Sequence, residues 1–136
     1  MGKRISVTGA VFIRDNKILA AQRGAEKSLG GYWEFPGGKI EPGETAKESL
    51  EREIREELQC TAIVGEFLTT TDYEYPFGTI SLSTFLCELG DEEPSLTEHQ
   101  DIRWVAPEDL KSLEWAPADI PAVDLLVERL GRSARN

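Results

Sequence analysis

Apolar residues recur along this chain with two different periods, which predict strands in some stretches and helices in others. Apolar-rich stretches at 5–13 and 17–22 flank the polar pair Asp15-Asn16 and predict a β-hairpin. A second strand pair is predicted at 62–71 and 79–89, joined through an aromatic stretch, and a short strand at 102–105. Two other stretches have helical spacing, with the apolar stripes Ala46, Leu50, Ile54 and Leu58, and Val123, Leu126, Val127 and Leu130. The pattern predicts an α/β fold with helices on the faces of a mixed sheet.

The first predicted helix carries a group of charges beside its apolar stripe. Glu53, Glu56 and Glu57 share one face, because a helix advances about 100° per residue, and Arg52 lies next to them. Carboxylates at this spacing repel one another. A divalent cation would remove the repulsion, and hard oxygen ligands suit Mg²⁺ or Mn²⁺. The alternative interpretation is a solvated acidic helix face.

A loop rich in glycine and proline leads into this helix. Its turn-forming residues are Pro36, Gly37, Gly38, Pro42 and Gly43. Thr45 and Glu48 have the spacing of a capping box and predict the start of the helix. A glycine loop followed by a helix N-terminus is suited to binding anions, although this signal is weak by itself.

Together these residues resemble the Nudix box, the pattern G-x5-E-x7-R-E-U-x-E-E-x-G-U, in which U is a bulky aliphatic residue. The matching positions are Gly38, Glu44, Arg52, Glu53, Ile54, Glu56 and Glu57. Gln59 replaces the motif glycine and Cys60 replaces the last aliphatic residue. A left-handed helix end is expected at Gln59, where a residue other than glycine costs about 1 kcal/mol. The resemblance implies the Nudix fold, an α/β/α sandwich with a mixed β-sheet, formed by a single domain over residues 1–136.

The resemblance also implies a reaction, because Nudix enzymes use water and Mg²⁺ or Mn²⁺ to cleave the pyrophosphate of a nucleoside diphosphate linked to another group. The implied metal ligands are the carbonyl of Gly37 and the side chains of Glu53, Glu56 and Glu57. Arg52 is expected to orient these carboxylates by reaching Glu48 or Glu56. Glu44 is expected to support the loop and the outer coordination sphere of the metal.

A carboxylate outside the box often assists in this family as a base or an extra ligand, and Glu98 is the candidate here. The competing base is His99, the single histidine of the chain, because an unperturbed imidazole has a pKa near neutrality. The alternative is that both are ordinary loop residues.

The segments 33–41 and 116–121, together with Arg23 at the end of the strand 17–22, resemble the MutT-like nucleoside triphosphate pyrophosphohydrolases of the family. The substrate-binding residues that this implies are Arg23, Glu34, Phe35, Pro36, Gly37, Gly38, Lys39, Tyr75 and Asp119. Arg23 would contact phosphate, or else be a solubilising charge at a strand end. Phe35 and Tyr75 or Phe77 would stack on the base, or else be core aromatics. Asp119 would accept a hydrogen bond from an amine such as cytosine N4, or cap the last helix, or do both.

The leading interpretation is hydrolysis of a (d)NTP to the (d)NMP and pyrophosphate, with CTP, dCTP or their modified forms as substrates. The alternatives are an 8-oxo-dGTP diphosphatase and, less favoured, a noncatalytic nucleotide-binding module. A net charge of −10 argues against a nucleic-acid polymer as partner, and no long apolar run predicts a membrane segment. Cys60 and Cys87 lie in apolar stretches, which favours buried thiols in a cytoplasmic protein. A monomer or weak dimer is expected.

Overall fold

The computed structural model describes residues 3–95 and 99–134 and confirms the predicted α/β/α sandwich with a mixed sheet. The strands are β1 (Lys3–Arg14), β2 (Lys17–Arg23), β3 (Trp33–Glu34), β4 (Ala62–Tyr75), β5 (Gly78–Leu89) and β6 (His99–Val105). The α-helices are α1 (Ala46–Leu58) and α2 (Ile120–Ala134), and two short 3-10 helices, Pro107–Ser112 and Pro117–Asp119, precede α2.

The sheet has the strand order β3-β2-β1-β5-β4, and β6 pairs with β2. β1 and β5 are parallel, whereas β4 and β5 are antiparallel, so the sheet is mixed as predicted. The predicted hairpin turn is confirmed, because Asp15 and Asn16 have φ angles of 51° and 61°, as a two-residue turn requires. The second strand pair is longer than predicted, and Tyr73 and Tyr75 lie within β4 instead of connecting shorter strands.

β1 and β2 pair only beside their turn, and the loop after β3 fills the gap that opens between them. Their register pairs are Ile13 with Ile18 and Arg14 with Lys17. Farther from the turn, β1 bonds to this loop much as it would to a strand. The backbone bonds run from Ala10 N–H to Pro36 O (2.7 Å), Thr8 N–H to Gly38 O (2.9 Å) and Ile40 N–H to Ser6 O (3.0 Å). The glycine loop is therefore wedged into the sheet.

Each face of the sheet is covered by one helix, because successive residues of β1 point to opposite faces. Ala10 and Phe12 pack in one core cluster with the α1 stripe of Leu50, Ile54 and Leu58. Val11 packs in the opposite cluster with Ala122, Val123 and Leu126 of α2. Both predicted apolar stripes thus face the sheet. Within the described residues, neither helix is long and apolar enough to cross a membrane.

The two ends of α1 have the predicted backbone geometry. At its start, Glu48 N–H donates to Thr45 Oγ1 (3.1 Å) and Thr45 N–H donates to Glu48 Oε1 (2.9 Å), which confirms the capping box. At its end, Gln59 has φ 55° and ψ 39°, the left-handed conformation expected for the position of the motif glycine. Its N–H donates to Arg55 O at 3.1 Å, which closes the last turn.

Replacing Gln59 by glycine is expected to stabilise the protein by about 1 kcal/mol, because the left-handed conformation strains any residue that has a Cβ. Urea unfolding should show a higher midpoint with an unchanged slope. The matched control is Glu51→Gly in the right-handed interior of α1, which should destabilise the protein by about 1 kcal/mol. Equal destabilisation by both glycines would show that the end of α1 is not strained.

Cys60 and Cys87 are free and buried, as predicted. Burial raises the pKa of Cys60 and raises that of Cys87 to about 12. Both thiols therefore stay protonated and unreactive near neutral pH.

Candidate active site

A cavity of about 410 Å³ lies beside the wedged glycine loop, a volume typical of small-molecule sites. It is also bordered by the loop between β2 and β3 and by the aromatic end of β4. Its acidic and basic lining residues are Arg23, Lys27, Glu34, Lys39, Glu57, His99 and Asp119. Of the predicted substrate-binding set, the structure brings all but Pro36 to this cavity.

Two carboxylates of α1 lie against the loop backbone at Gly37 and Gly38, and the absence of a side chain at Gly38 leaves space for one of them. Gly37 N–H donates to Glu57 Oε1 at 3.3 Å. A Cβ at Gly38 would lie 2.5 Å from Glu53 Cδ, so the Glu53 carboxylate occupies the space that a side chain would fill. A Cβ at Gly37 would collide with the carbonyl oxygen of Thr8 in β1. Gly37 therefore allows the loop to approach β1 closely, and Gly38 leaves the space that the Glu53 carboxylate occupies.

Arg52 holds the glycine loop and the acidic face of α1 together. Its Nε and Nη2 donate to both carboxylate oxygens of Glu44, at 2.7 Å and 2.9 Å. Its Nη1 donates to Glu53 Oε1 at 2.9 Å and Glu56 Oε1 at 3.2 Å. Of the two partners expected from the sequence, Glu56 is in contact with Arg52, whereas Glu48 serves the capping box. The two-point contact with Glu44 was not predicted.

The pairing changes the acid strength of both partners. The hydrogen bonds from Arg52, followed by that from the Glu41 N–H, lower the pKa of Glu44 to about 2. The Glu44 carboxylate in turn raises the pKa of Arg52. Both groups are charged across the physiological range, so this clamp between loop and helix persists there.

The predicted metal ligands have the right chemistry for a hard dication but are divided between two sets of partners. Glu53 and Glu56 contact Arg52, whereas Glu57 faces the Gly37 N–H. Among residues 3–95 and 99–134, no three His, Cys, Asp or Glu side chains are grouped closely enough to share one ion. Carboxylate oxygens nevertheless fit Mg²⁺ or Mn²⁺, and Gly38 leaves room for Glu53 beside the loop. In this structure the three carboxylates therefore bind protein donors and do not converge on one point.

On the other side of the cavity, the Glu34 carboxylate contacts the side chains of Arg23 and His99. Its Oε1 accepts from Arg23 Nη1 at 2.9 Å, and its Oε2 lies 2.9 Å from His99 Nε2. The same His99 nitrogen is 4.0 Å from Glu57 Oε1. Arg23 also donates from Nε to Ser28 O at 2.8 Å, which fixes its guanidinium at the cavity. Arg23 is therefore not merely a solvated charge at a strand end.

Asp119 forms a buried wall of the cavity. Its Oδ2 accepts from the Phe35 N–H at 3.0 Å, so the side chain ties the start of α2 to the segment after β3. Burial, followed by the nearby charge of Glu34, raises the pKa of Asp119 well above its usual value. The neighbouring Ala118 N–H donates to the hydroxyl of Tyr75 at 3.0 Å. The observed hydrogen bond of the Asp119 carboxylate is thus to the backbone after β3 and not to the first turn of α2.

Because the pKa of Asp119 is raised on folding, its carboxyl destabilises the folded state increasingly as the pH rises above about 4, through the folded pKa. Asp119→Asn retains an oxygen acceptor for the Phe35 N–H but cannot ionise. We expect the Tm of the variant relative to wild type to increase from pH 4 to pH 8. Thermal unfolding of both proteins across this range measures the difference in Tm. Groups that titrate in both proteins affect both Tm values and largely cancel in this difference. A difference independent of pH would contradict the raised pKa.

The aromatic residues that line the cavity differ in how exposed their rings are. Tyr75 and Phe77 line the cavity and are stacked, with ring centroids 5.1 Å apart and planes inclined by 5°. Phe77 is 52% exposed and offers a free face, whereas Tyr75 is buried. Phe35 is only 3% exposed, and its ring packs against Trp115 at 4.8 Å. Of these three rings, Phe77 is therefore the one with an accessible face.

Two other predicted residues, Pro36 and Lys39, differ in accessibility. Pro36 is fully buried, and its carbonyl accepts from β1, so its visible contribution is to hold the loop. Lys39 is exposed at the cavity, while its carbonyl accepts from Ser49 Oγ and Arg52 Nη2. Glu98 lies outside the described residues. Sequence reasoning missed Lys27, which lines the cavity from a loop without a motif; its position soon after Arg23 was the available signal.

The wedged glycine loop, the carboxylates of α1 and the adjoining cavity together define a Nudix hydrolase. The family model described as the NUDIX domain matches residues 3–126, and the chain belongs to that family. Nudix hydrolases act on nucleotide substrates and generally use divalent metal ions.

Three members of the family are similar to this chain over most of its length. The CTP pyrophosphohydrolase of Escherichia coli K12 is 41% identical over 124 residues, which are 90% of each chain. The 8-oxo-dGTP diphosphatase of the same strain is 32% identical over 123 residues, covering 90% of this chain and 95% of that protein. A solution structure of the DNA mismatch repair protein MutT from methicillin-resistant Staphylococcus aureus 252 is 52% identical, with a TM-score of 0.78. That match covers 95% of this chain and 99% of the other.

Proposed function

We propose that this protein is a metal-dependent nucleoside triphosphate pyrophosphohydrolase that converts a (d)NTP and water to the (d)NMP and pyrophosphate. CTP, dCTP and modified pyrimidine nucleotides are the proposed substrates. The observation that carries the proposal is one cavity with the buried Asp119 on one wall and Glu57 beside the glycine loop on another. A base-recognising acceptor and a hydrolytic centre can thus act on the same molecule. The similarity to the E. coli CTP pyrophosphohydrolase supports the choice of nucleotide.

Mg²⁺ is the proposed ion, with Mn²⁺ as the alternative, and its proposed ligands are Glu53, Glu56, Glu57 and the Gly37 carbonyl. An ion bound there would neutralise phosphate charge and make water a better nucleophile. Arg52 and Glu44 orient the ligands, since their paired charges join the helix to the loop. Glu98 remains the proposed additional carboxylate.

The remaining cavity residues form two groups, one that binds the phosphates of the substrate and one that binds its base. Arg23 and Lys39 supply positive charge for the phosphates, because guanidinium and ammonium groups bind phosphate oxygens. Asp119 supplies an acceptor for an exocyclic amine such as cytosine N4. Tyr75 and Phe77 supply a stacking face for the base. These assignments give each end of a nucleotide its own set of contacts.

The second candidate is hydrolysis of 8-oxo-dGTP, and one property of Asp119 favours it. A carboxyl group whose pKa is raised keeps its proton to higher pH and can then donate to a base carbonyl. The similarity to the E. coli 8-oxo-dGTP diphosphatase supports this alternative. A noncatalytic nucleotide-binding module is the least favoured candidate, since the full set of Nudix-box carboxylates is present.

We further propose a cytoplasmic monomer or weak dimer, consisting of one domain over residues 1–136, without a nucleic-acid polymer or a membrane as partner. The free buried thiols are consistent with a reducing compartment. Gel filtration at two protein concentrations tests the proposed assembly.

A panel of CTP, dCTP, 5-methyl-dCTP, UTP, dGTP and 8-oxo-dGTP, each with Mg²⁺, tests the function. Ion-exchange chromatography should resolve the monophosphate and pyrophosphate in equal amounts, with the highest kcat/KM for the cytidine nucleotides. A higher kcat/KM for 8-oxo-dGTP would replace the first candidate by the second. Tight nucleotide binding without product would favour the noncatalytic module.

A further inference from the structure

His99 lies between the two halves of the cavity and joins them. Its Nε2 is 2.9 Å from Glu34 Oε2 and 4.0 Å from Glu57 Oε1. The side chain is 5% exposed, and both carboxylates are largely buried, at 19% and 8% exposure. We infer that His99 is a positioning residue that orients Glu34 through a hydrogen bond and borders Glu57, and so couples nucleotide binding to hydrolysis. This inference rests on the proposed function.

An irregularity in β6 brings His99 to this position. β2 and β6 pair regularly from Ile18 with Val105 to Gln22 with Asp101, after which the register shifts and Arg23 pairs with His99. The regular register would have placed residue 100 opposite Arg23. A bulge of this kind changes the direction of the side chains beside it. The backbone at the start of β6 thus places His99 opposite Arg23, where its ring meets Glu34.

The hydrogen-bonding chemistry of the ring permits only one arrangement with a carboxylate partner. An ionised carboxylate accepts and cannot donate, so the Nε2 of His99 carries the hydrogen that Glu34 receives. The other nitrogen, Nδ1, is buried and has no hydrogen-bond partner within the described residues. The polar contacts seen for this ring are therefore those with the two carboxylates, and its function is expected to depend on the Nε2–H.

The contacts form a continuous path across the cavity. Arg23 binds Glu34, Glu34 binds His99, and His99 approaches Glu57 on α1. A nucleotide that displaces or reorients Glu34 changes the direction of the Nε2–H and hence the surroundings of Glu57. On this path the imidazole is hydrogen-bonded to Glu34 and lies 4.0 Å from Glu57.

Two replacements separate the hydrogen bond from the volume of the ring. In His99→Gln the amide N–H can take the place of Nε2–H, whereas His99→Leu fills a similar volume without a donor. With CTP and Mg²⁺, we expect His99→Leu to lower kcat about 10- to 100-fold with a smaller change in KM. We expect His99→Gln to recover most of that loss. Equal activity of both variants, whether high or low, would overturn the inference.

Circular dichroism and thermal unfolding check that the leucine variant folds. Should it not fold, His99→Asn replaces it, because its amide is too short to reach Glu34 and its side chain stays polar. The asparagine variant should then be as slow as expected for leucine, while His99→Gln remains active. Full activity of His99→Asn would overturn the inference in that case.

A double-mutant cycle tests whether His99 acts through Glu34. Glu34→Gln and His99→Leu are each expected to reduce kcat/KM, and their combination should be no worse than the more damaging single change. Multiplied losses would show that the two residues act independently and would reject the proposed path.

The ring itself can be observed, because His99 is the single histidine of the chain. In tag-free protein labelled with ¹⁵N-histidine, the NMR spectrum should show the hydrogen on Nε2, and the signal should shift in Glu34→Gln. Hydrogen on Nδ1 alone would contradict the geometry. If wild type hydrolyses no nucleotide, the proposed function and this inference fall together. If wild type is active and His99→Leu is unaffected, only this inference falls.

Discussion

Glu57→Gln is expected to lower kcat about 10³-fold, or ~4 kcal/mol in activation free energy, while the folded structure is retained. The amide oxygen of glutamine can still accept from the Gly37 N–H, and the volume of the side chain is unchanged. The change removes the negative charge that we propose to bind the dication. Glu53→Gln should behave similarly, because its carboxylate lies against Gly38 in the same part of the site.

Steady-state hydrolysis of CTP with Mg²⁺ measures this effect, and circular dichroism checks the fold. The matched control is Glu51→Gln in the same helix, where the carboxylate is 43% exposed and lies 3.8 Å from Lys47 Nζ. Its kcat should equal that of wild type. Unchanged turnover in both Glu53→Gln and Glu57→Gln would remove these carboxylates from the mechanism.

Alanine at the two adjacent glycines of the loop should produce different defects. Gly37→Ala places a Cβ against the carbonyl oxygen of Thr8 in β1, which cannot move without disturbing the sheet, and should destabilise the protein by about 3 kcal/mol. Gly38→Ala meets only the carboxylate end of Glu53 among its nearest atoms, and a flexible side chain can turn away. Its destabilisation should stay below about 1 kcal/mol. Since the displaced group is a proposed metal ligand, kcat should fall about 10²-fold.

Urea unfolding and CTP hydrolysis, measured on the same preparations, distinguish the two defects. Gly90→Ala is the control, because its Cβ would have no neighbour nearer than 3.5 Å and Gly90 lies away from the cavity. It should match wild type in both assays. A stable, active Gly37→Ala variant would show that the loop is not wedged as described.

Much of the fold followed from local patterns in the sequence. The apolar-rich stretch at 5–13 predicted a strand, which is confirmed within β1, because strand formation depends largely on neighbouring residues. The helix stripes and the capping box were predicted for the same reason. The bounds of β4 were missed, because its aromatic end reads equally well as a turn and as a strand.

The site was less predictable, because its contacts join distant parts of the chain. The Nudix box pointed to the carboxylates of α1 and to Arg52, but the grip of Arg52 on Glu44 depends on the path of the loop between them. The contact of Glu34 with His99 lies beside a register shift between β2 and β6, which no pattern in the sequence predicted. The core position of the Phe35 ring likewise depends on Trp115, which approaches only in the folded chain.

The wedging of the glycine loop between β1 and β2 also bears on how the enzyme can cycle. Loops that close over a ligand usually make few contacts in their middle and move about hinge residues at their ends. This loop is bonded to β1 on both sides of Gly37, so lifting it would open the sheet itself. A closing motion over bound nucleotide is therefore expected from another border of the cavity and not from this loop.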